Sequence, residues 1–461
     1  MKNYTKNTIW LIFSLFPFIY GCNEDFLEEK PSTALQQPHT IADFEQLLSN
    51  TDVFNQTSSL VLAASDEYEI PTYEAYLALT QLTARNSYIW EKDLYGGQVN
   101  VEQWNLPYTA VFYTNSVLEG LQTSNDIGTT DWNKIKGWAL FSRAYAFYDL
   151  AQNFCETYDS DTAGSTLGIP IRLTPGIDEI VQRSTLQETY DQILSDLTQA
   201  GDLLDNDISE AFRYQPSKAA VYAFLARVYL SMGLYVEAEN YADRCLDTYN
   251  TLIDYNTISK TASTPFRDYN AENIYYSEQT NNLTAVSASL SSAKYTVTPS
   301  VLSMYDSNDL RRSLYFSLVA SGNTIRKRSY SGRGLLFTGL ATDEVYLVKA
   351  ECAARRSDYP VALETLNTLL VNRYTTGTFT PLTVENTPDV LATVLEERQK
   401  ELVFRGLRWS DLKRYNKEGA NITLTRVLNG ETYTLAPNDP RYVFPIPSDE
   451  ISYSGIEQNP R

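Results

Sequence analysis

The stretch LARVYLSMGLYVEAENYA, residues 225–242, sets Leu225, Tyr229 and Tyr235 among the small residues Ala226, Gly233, Ala238 and Ala242. From Ala226 it is nine residues to Tyr235 and twelve to Ala238, and Ala350, Tyr359 and Ala362 repeat both intervals. Small residues let two antiparallel helices approach closely, while the tyrosine packs at the turn between them. A recurring spacing of this kind is the sequence mark of stacked helix pairs.

The intervals are those of a tetratricopeptide repeat, and more helices follow outward from this core. Trp138, Phe141, Tyr145, Tyr148 and Leu150 recur largely at three- and four-residue steps with Ala139, Ala144 and Ala146 between them. Ser184-Thr185-Leu186-Gln187-Glu188 offers an N-cap before Tyr190, Ile193, Leu194 and Leu197. Helices also fit Ala42 to Leu48, Pro107 to Leu121 and Val390 to Phe404. The reading is a mainly α fold, tetratricopeptide-like helix-pair repeats interrupted by long irregular loop insertions. Cys245 and Cys352 fall at packing positions of the repeats and read as core residues.

Composition narrows the chemistry. The 461 residues contain one histidine, His39, so a site needing two histidines is impossible and a Ser-His-Asp triad would have to use that residue. The four cysteines, Cys22, Cys155, Cys245 and Cys352, form no CxxC pair, which excludes a zinc ribbon or a thioredoxin-type site. A net charge of -20 argues against tracking a phosphate backbone, so no nucleic acid is expected. No residue pattern selects a catalytic group, a metal site or a cofactor.

Two regions depart from the helical pattern and carry loop chemistry. Between 65 and 105 lie Tyr68, Tyr73, Tyr76, Tyr88, Trp90, Tyr95 and Trp104, with Asp66, Glu67, Arg85, Asn86 and Asn100. Aromatic faces meet the polarised C-H edges of a sugar ring, and Asn, Asp and Arg reach its hydroxyls. Tyr68, Tyr73, Tyr88, Trp90 and Tyr95 are the candidate ligand-binding residues; Trp104 reads as packing. On this reading Trp90→Ala weakens ligand binding and leaves thermal stability nearly unchanged. The second region, 255–340, contains a Ser/Thr/Asn-rich run from Ser277 to Ser300 and a basic stretch with Arg326, Lys327, Arg328 and Arg333 suited to an anionic ligand.

At the N-terminus Lys2 and Lys6 precede the apolar run from Ile9 to Tyr20, which ends in Gly21-Cys22. Residues 1–21 read as a signal peptide and Cys22 as a lipidation site, giving a protein anchored to a membrane that it does not cross. Residues 22–461 read as one domain. Loss of Cys22 to acylation leaves three separated thiols, which argues for buried free cysteines over a disulfide framework.

The C-terminal region reads Glu397-Arg398-Gln399-Lys400-Glu401-Leu402, then Phe404-Arg405-Gly406-Leu407-Arg408-Trp409-Ser410-Asp411-Leu412-Lys413-Arg414-Tyr415, and closes on Phe444-Pro445-Ile446-Pro447, Glu450-Ile451 and Gln458-Asn459-Pro460. This resembles the ER-x-x-EL-x-F-x-G-x-RW-x-DL-x-R signature and PIP-x-x-EI and QNP tail of the SusD/RagB family of outer-membrane nutrient-binding lipoproteins. Arg143-Ala144-Tyr145, Gly168-Ile169-Pro170 and Ala226-Arg227-Val228-Tyr229-Leu230 agree in order. Arg405 departs from the glutamate common before the glycine. Glu397 and Glu401 share a helical face, and Arg408, Asp411 and Arg414 follow at three-residue steps, so an ion-pair network tying this segment to the repeats is expected.

The resemblance implies a surface lipoprotein of the outer membrane that captures an oligosaccharide and delivers it to a SusC-like TonB-dependent transporter, without covalent chemistry or a cofactor. Glu24-Asp25 after Cys22 resembles the family's surface-export signal. Three alternatives stay open: peptide capture as in the RagB branch, a periplasmic repeat scaffold without a transport role, and a glycoside hydrolase, for which no sequence feature selects a carboxylate pair.

Overall fold

A computed structural model describes residues 38–176, 178–280, 294–328 and 330–461. The signal segment, Cys22 and half of the Ser/Thr/Asn-rich run lie outside the described residues.

Pairing starts with two long helices, Glu102–Gln122 and Thr130–Phe154, laid against each other, and the second packs in turn on Leu186–Leu203. The central helix Thr130–Phe154 is buried on nearly all sides because its alanines and rings alternate: Ala139, Ala144 and Ala151 admit neighbours while Phe141, Tyr145 and Phe147 fill the spaces. Leu186–Leu203 starts where the sequence predicts, at a capping box in which Thr185 Oγ1 accepts from Glu188 N and the Glu188 carboxylate accepts from Thr185 N.

The opening stretch forms the pair Lys218–Ser231 and Tyr235–Thr248. Gly233, at φ +74°, makes the left-handed turn between them. Ala226, Ala238 and Ala242 are fully buried at the seam. Tyr235–Thr248 packs on Thr342–Arg355, which pairs with Tyr359–Leu370 and then with Val390–Glu401, so the second repeat continues the first. Tyr235 hydrogen-bonds Glu418 and lies under Arg355, at 4.3 Å from the ring centre. Cys155, Cys245 and Cys352 are free and buried, as the spacing predicts. The mainly α reading holds; the described strands form two-stranded sheets only.

The C-terminal signature forms the expected ion network, with different partners. Arg398 bonds Asp411 at 2.9 Å, and Arg414 bonds both Asp411 and Glu351 of the second repeat. Glu397 and Glu401 instead reach Arg311 at 2.7 and 3.0 Å, and Glu401 also reaches Arg373 at 2.7 Å. Arg373 continues to Glu272 at 2.8 Å. Burial favours the neutral acid at Glu401, yet Arg373 and Arg311 hold its carboxyl below the usual range. Arg405 replaces the family glutamate by pairing with Asp343 at 3.0 Å and lying over Tyr330 and Phe337. Beyond the helix Val390–Glu401 the chain reverses through Phe404 and Gly406, both at positive φ, and Phe404 N donates to Glu67 at 2.8 Å. That bond ties the signature to the ring-bearing region.

Candidate ligand-binding face

The segment from Ser58 to Trp104 is a succession of short helices whose path is fixed by hydrogen-bonded carboxylates, Asp149 and Glu67 buried and Asp66 half-buried. Asp149, on the central helix, accepts from Ser58 N at 3.1 Å, and Asp66 receives a bidentate pair from Arg408 at 2.8 and 2.9 Å. Glu67 accepts from Phe404 N and Ser65 Oγ, and burial pushes its carboxyl up to about 7. Asn86 Nδ2 donates to the Asp93 and Leu94 carbonyls. Asp66, Glu67 and Asn86 thus shape the loop, and Asn100 N adds a bond to Asp449 at 2.8 Å.

The rings between them form one ladder. Tyr73 stacks on Tyr76 with centroids 5.9 Å apart and planes 17° from parallel. Tyr76 meets Tyr88 at 6.2 Å, Tyr88 meets Tyr68 at 5.7 Å, and Tyr68 meets Tyr295 edge-on at 6.2 Å. Arg426 enters from the C-terminal hairpin, strands Leu424–Leu428 and Glu431–Leu435, and places its guanidinium 3.8 Å from the Tyr88 ring centre and 4.8 Å from that of Trp90. The hairpin turns on Asn429-Gly430, both at positive φ. Its register sets Tyr433 opposite Arg426, on the same face.

Exposure separates the five candidate residues. Tyr73 is 38% exposed, whereas Tyr68, Tyr88, Trp90 and Tyr95 are at 3, 1, 2 and 6%. Their polar tips are engaged within the protein: Tyr68 Oη donates to Ala63 O, Trp90 Nε1 to Ala64 O, Tyr95 Oη to Pro445 O, and Tyr88 Oη accepts from Ile70 N. The expectation that all five present their faces to a ligand is therefore corrected: four are buried in the conformation described, because a ring with a satisfied polar tip can be covered at no hydrogen-bonding cost. The basic stretch is corrected for a similar reason. Arg326 donates to the Lys327 and Gly334 carbonyls, Lys327 Nζ to Lys260 O, and Arg333 pairs with Asp268, so three of its four charges serve the local fold.

At the outer end of the ladder Tyr73 is exposed and Tyr433 half-buried, while Tyr76, stacked on Tyr73, is buried at 9%. Arg85 lies beside Tyr76, and its Nε has no hydrogen-bond partner among the described residues. Tyr433 Oη donates to Glu431 at 2.7 Å, which raises its phenol to about 12. Sequence reading missed Tyr433 because it lies 360 positions along the chain from Tyr73; the available signal was the alternation of Leu424, Arg426 and Leu428 before Asn429-Gly430. Elsewhere, Glu272, Asp343 and Glu401 bring carboxylate oxygens close together. Each carboxylate already faces an arginine, Arg373, Arg405 or Arg311, so the trio is the centre of the ion network.

Helix pairs stacked in series define a helical-repeat protein, with Tyr73 the exposed ring of its candidate face. A SusD-like profile described as starch-binding associating with outer membrane matches residues 25–230, and a SusD family profile matches 248–461. The chain belongs to the SusD/RagB family, whose members are outer-membrane-associated binding proteins. Solved structures with the same fold include a SusD superfamily protein from Bacteroides fragilis (TM-score 0.72, 19% identity, covering 91% of this chain and 99% of that one). A putative sugar binding protein from Bacteroides vulgatus aligns with TM-score 0.71 at 22% identity over 92% of this chain and 99% of its own. A SusD-like carbohydrate binding protein from Bacteroides vulgatus aligns with TM-score 0.66 at 19% identity over 90% and 97%. No curated protein matches the sequence.

Proposed function

We propose that this protein is a lipid-anchored, surface-exposed binding protein that holds an oligosaccharide on Tyr73 and Tyr433 and passes it unchanged to a SusC-like TonB-dependent transporter. The observation that carries the reading is the Tyr73-Tyr76 stack: the exposed ring of Tyr73 lies near-parallel to the buried ring of Tyr76, which belongs to a buried ladder that fixes its orientation. An immobile ring pair loses little entropy when a sugar stacks on it. Arg85 supplies donors for hydroxyls beside the rings. Tyr68, Tyr88, Trp90 and Tyr95 then act as supports that hold Tyr76 and the hairpin in place. Acylation at Cys22 would provide the anchor, and among the described residues no helix is long and apolar enough to cross a membrane.

The test is calorimetric titration of the mature protein with oligosaccharides and peptides. Tyr73→Ala and Tyr433→Ala should each weaken binding about tenfold, the equivalent of one ring contact, with unchanged melting temperature. Binding only to peptides would move the protein to the RagB-like branch. Product formed during incubation would revive the hydrolase.

A further inference from the structure

Where the ring-bearing segment meets the packed body, an internal cavity of about 50 Å³ lies between its first residues, the central helix and the C-terminal signature. Asp149, Gln152 and Asn153 line it from the helix, Thr57 and Ser58 from the segment, and Ser410 from the signature. Asp149 and Asn153 are four residues apart and share a helix face. Asn153 Nδ2 donates to Asp149 O at 2.7 Å and to Asp149 Oδ1 at 3.2 Å, which fixes which end of the amide is oxygen. Asn153 is 1% exposed, yet its Oδ1 has no hydrogen-bond partner among the described residues. Asp149 accepts from neutral donors only, Ser58 N and Asn153 Nδ2, and no cation offsets its charge. Two arginines also line the cavity, and both are matched by other carboxylates. Arg227 holds Glu344 at 2.6 and 2.7 Å. Arg405 pairs with Asp343 and lies across Tyr330 and Phe337, none of which borders the cavity, so its guanidinium sits in that ring cluster and not over Asp149.

We infer that this cavity binds one alkali-metal cation, held by the Asp149 carboxylate and Asn153 Oδ1, with Gln152 Oε1, Thr57 Oγ1 and water completing its shell. All of these donors are hard oxygens, which suit sodium or potassium and not a thiophilic metal. Charge decides the valence: one carboxylate is balanced by one positive charge, whereas calcium or magnesium would leave a surplus charge buried beside Arg227. Size agrees, since at roughly 10–15 Å³ per water-sized site the cavity takes one ion and a few waters. Water alone would satisfy the orphan oxygen of Asn153 but leave the carboxylate without a counter-charge. Ser58 N already rests on Asp149, so the ion fixes the start of the ring-bearing segment to the central helix. The site does not depend on the proposed ligand face.

The experiment follows urea unfolding of the mature protein in sodium, potassium or choline chloride at one fixed ionic strength. It is run at pH 8, above the value of about 7 to which burial pushes the Asp149 carboxyl. Choline is too large for the cavity, so a difference between the salts reads occupancy and not screening. Sodium or potassium should raise the urea midpoint above that in choline, and the gain should saturate as the alkali cation replaces choline. Asp149→Asn, uncharged and nearly isosteric, should give one midpoint in all three salts. Asn153→Ser should shift half-saturation to about tenfold higher alkali cation, the loss of one oxygen contact. Equal midpoints for the native protein in all three salts would overturn the inference, and this comparison needs no variant to fold. A gain that survives both substitutions would overturn it as well. A gain produced by calcium and by neither monovalent salt would overturn the assignment of charge.

Discussion

The indole of Trp90 sits at 2% exposure, donates to Ala64 O and lies beside the Arg426 guanidinium. Its backbone holds φ at +56°, a left-handed conformation maintained by the surrounding contacts. Trp90→Ala should therefore lower stability by about 3–5 kcal/mol, the cost of emptying a buried ring site, read as a shift of the urea midpoint with unchanged slope. That reverses the expectation drawn from sequence. Asp149 offers a second test at this scale. Burial pushes its carboxyl from 3.8 up to about 7, with no cation among the groups that offset it. Between those values the folded protein retains a proton that the unfolded chain has released. Asp149 thus makes stability fall as pH rises from about 4 to 7, levelling off above. Asp149→Asn should flatten part of that slope in pH-dependent unfolding. Glu67, also raised to about 7, contributes in the same direction and will leave a remainder.

Elements are held by arginines that bridge distant segments. Arg373, at the end of the second repeat, joins Glu272 to Glu401 and donates to Ile253 O, so one side chain links a loop, a strand entry and the signature helix. Arg373→Met removes the cation and leaves two buried carboxylates facing each other. A loss of about 3–5 kcal/mol is expected by chemical denaturation, most of it from the abandoned charges. Arg426 plays the same part for the hairpin: it donates to the Tyr88 and Ser65 carbonyls from within the ring socket. Arg426→Ala should loosen the hairpin and carry Tyr433 away from Tyr73. Both stability and oligosaccharide affinity then fall, where Tyr433→Ala lowers affinity alone.

At the scale of the whole molecule the prediction concerns place. Cys22→Ser should move the protein from the membrane fraction to the soluble fraction without changing its melting temperature, since residues 39–461 form a compact unit without it. Protease treatment of intact cells should degrade the native protein if it faces outward. Survival of the protein in intact cells with loss after lysis would place it in the periplasm and support the repeat scaffold instead.

Much of the fold was legible in the sequence because it rests on local periodicity. Ala226, Tyr235 and Ala238 repeat at Ala350, Tyr359 and Ala362, Thr185 and Glu188 cap a helix, and the motif from Glu397 to Tyr415 lies in one continuous stretch. Helix spacing and capping are decided within a few residues, so the chain declares them directly. The proposed ligand face was legible only as a region. The sequence marks a concentration of rings between 65 and 105, and ring identity says nothing about which face is covered. Burial of Tyr68, Tyr88 and Trp90 depends on Arg426 arriving from more than 330 residues away, and Tyr433 joins Tyr73 only because hairpin register puts it opposite that arginine. The partners of Glu397 and Glu401 were likewise set by Arg311 and Arg373, which reach them across the packed body. The sequence by itself determined the paired helices and the family. Tertiary structure alone decided which rings face solvent and which charges meet, because exposure and ion pairing are properties of segments distant in the chain and adjacent in space.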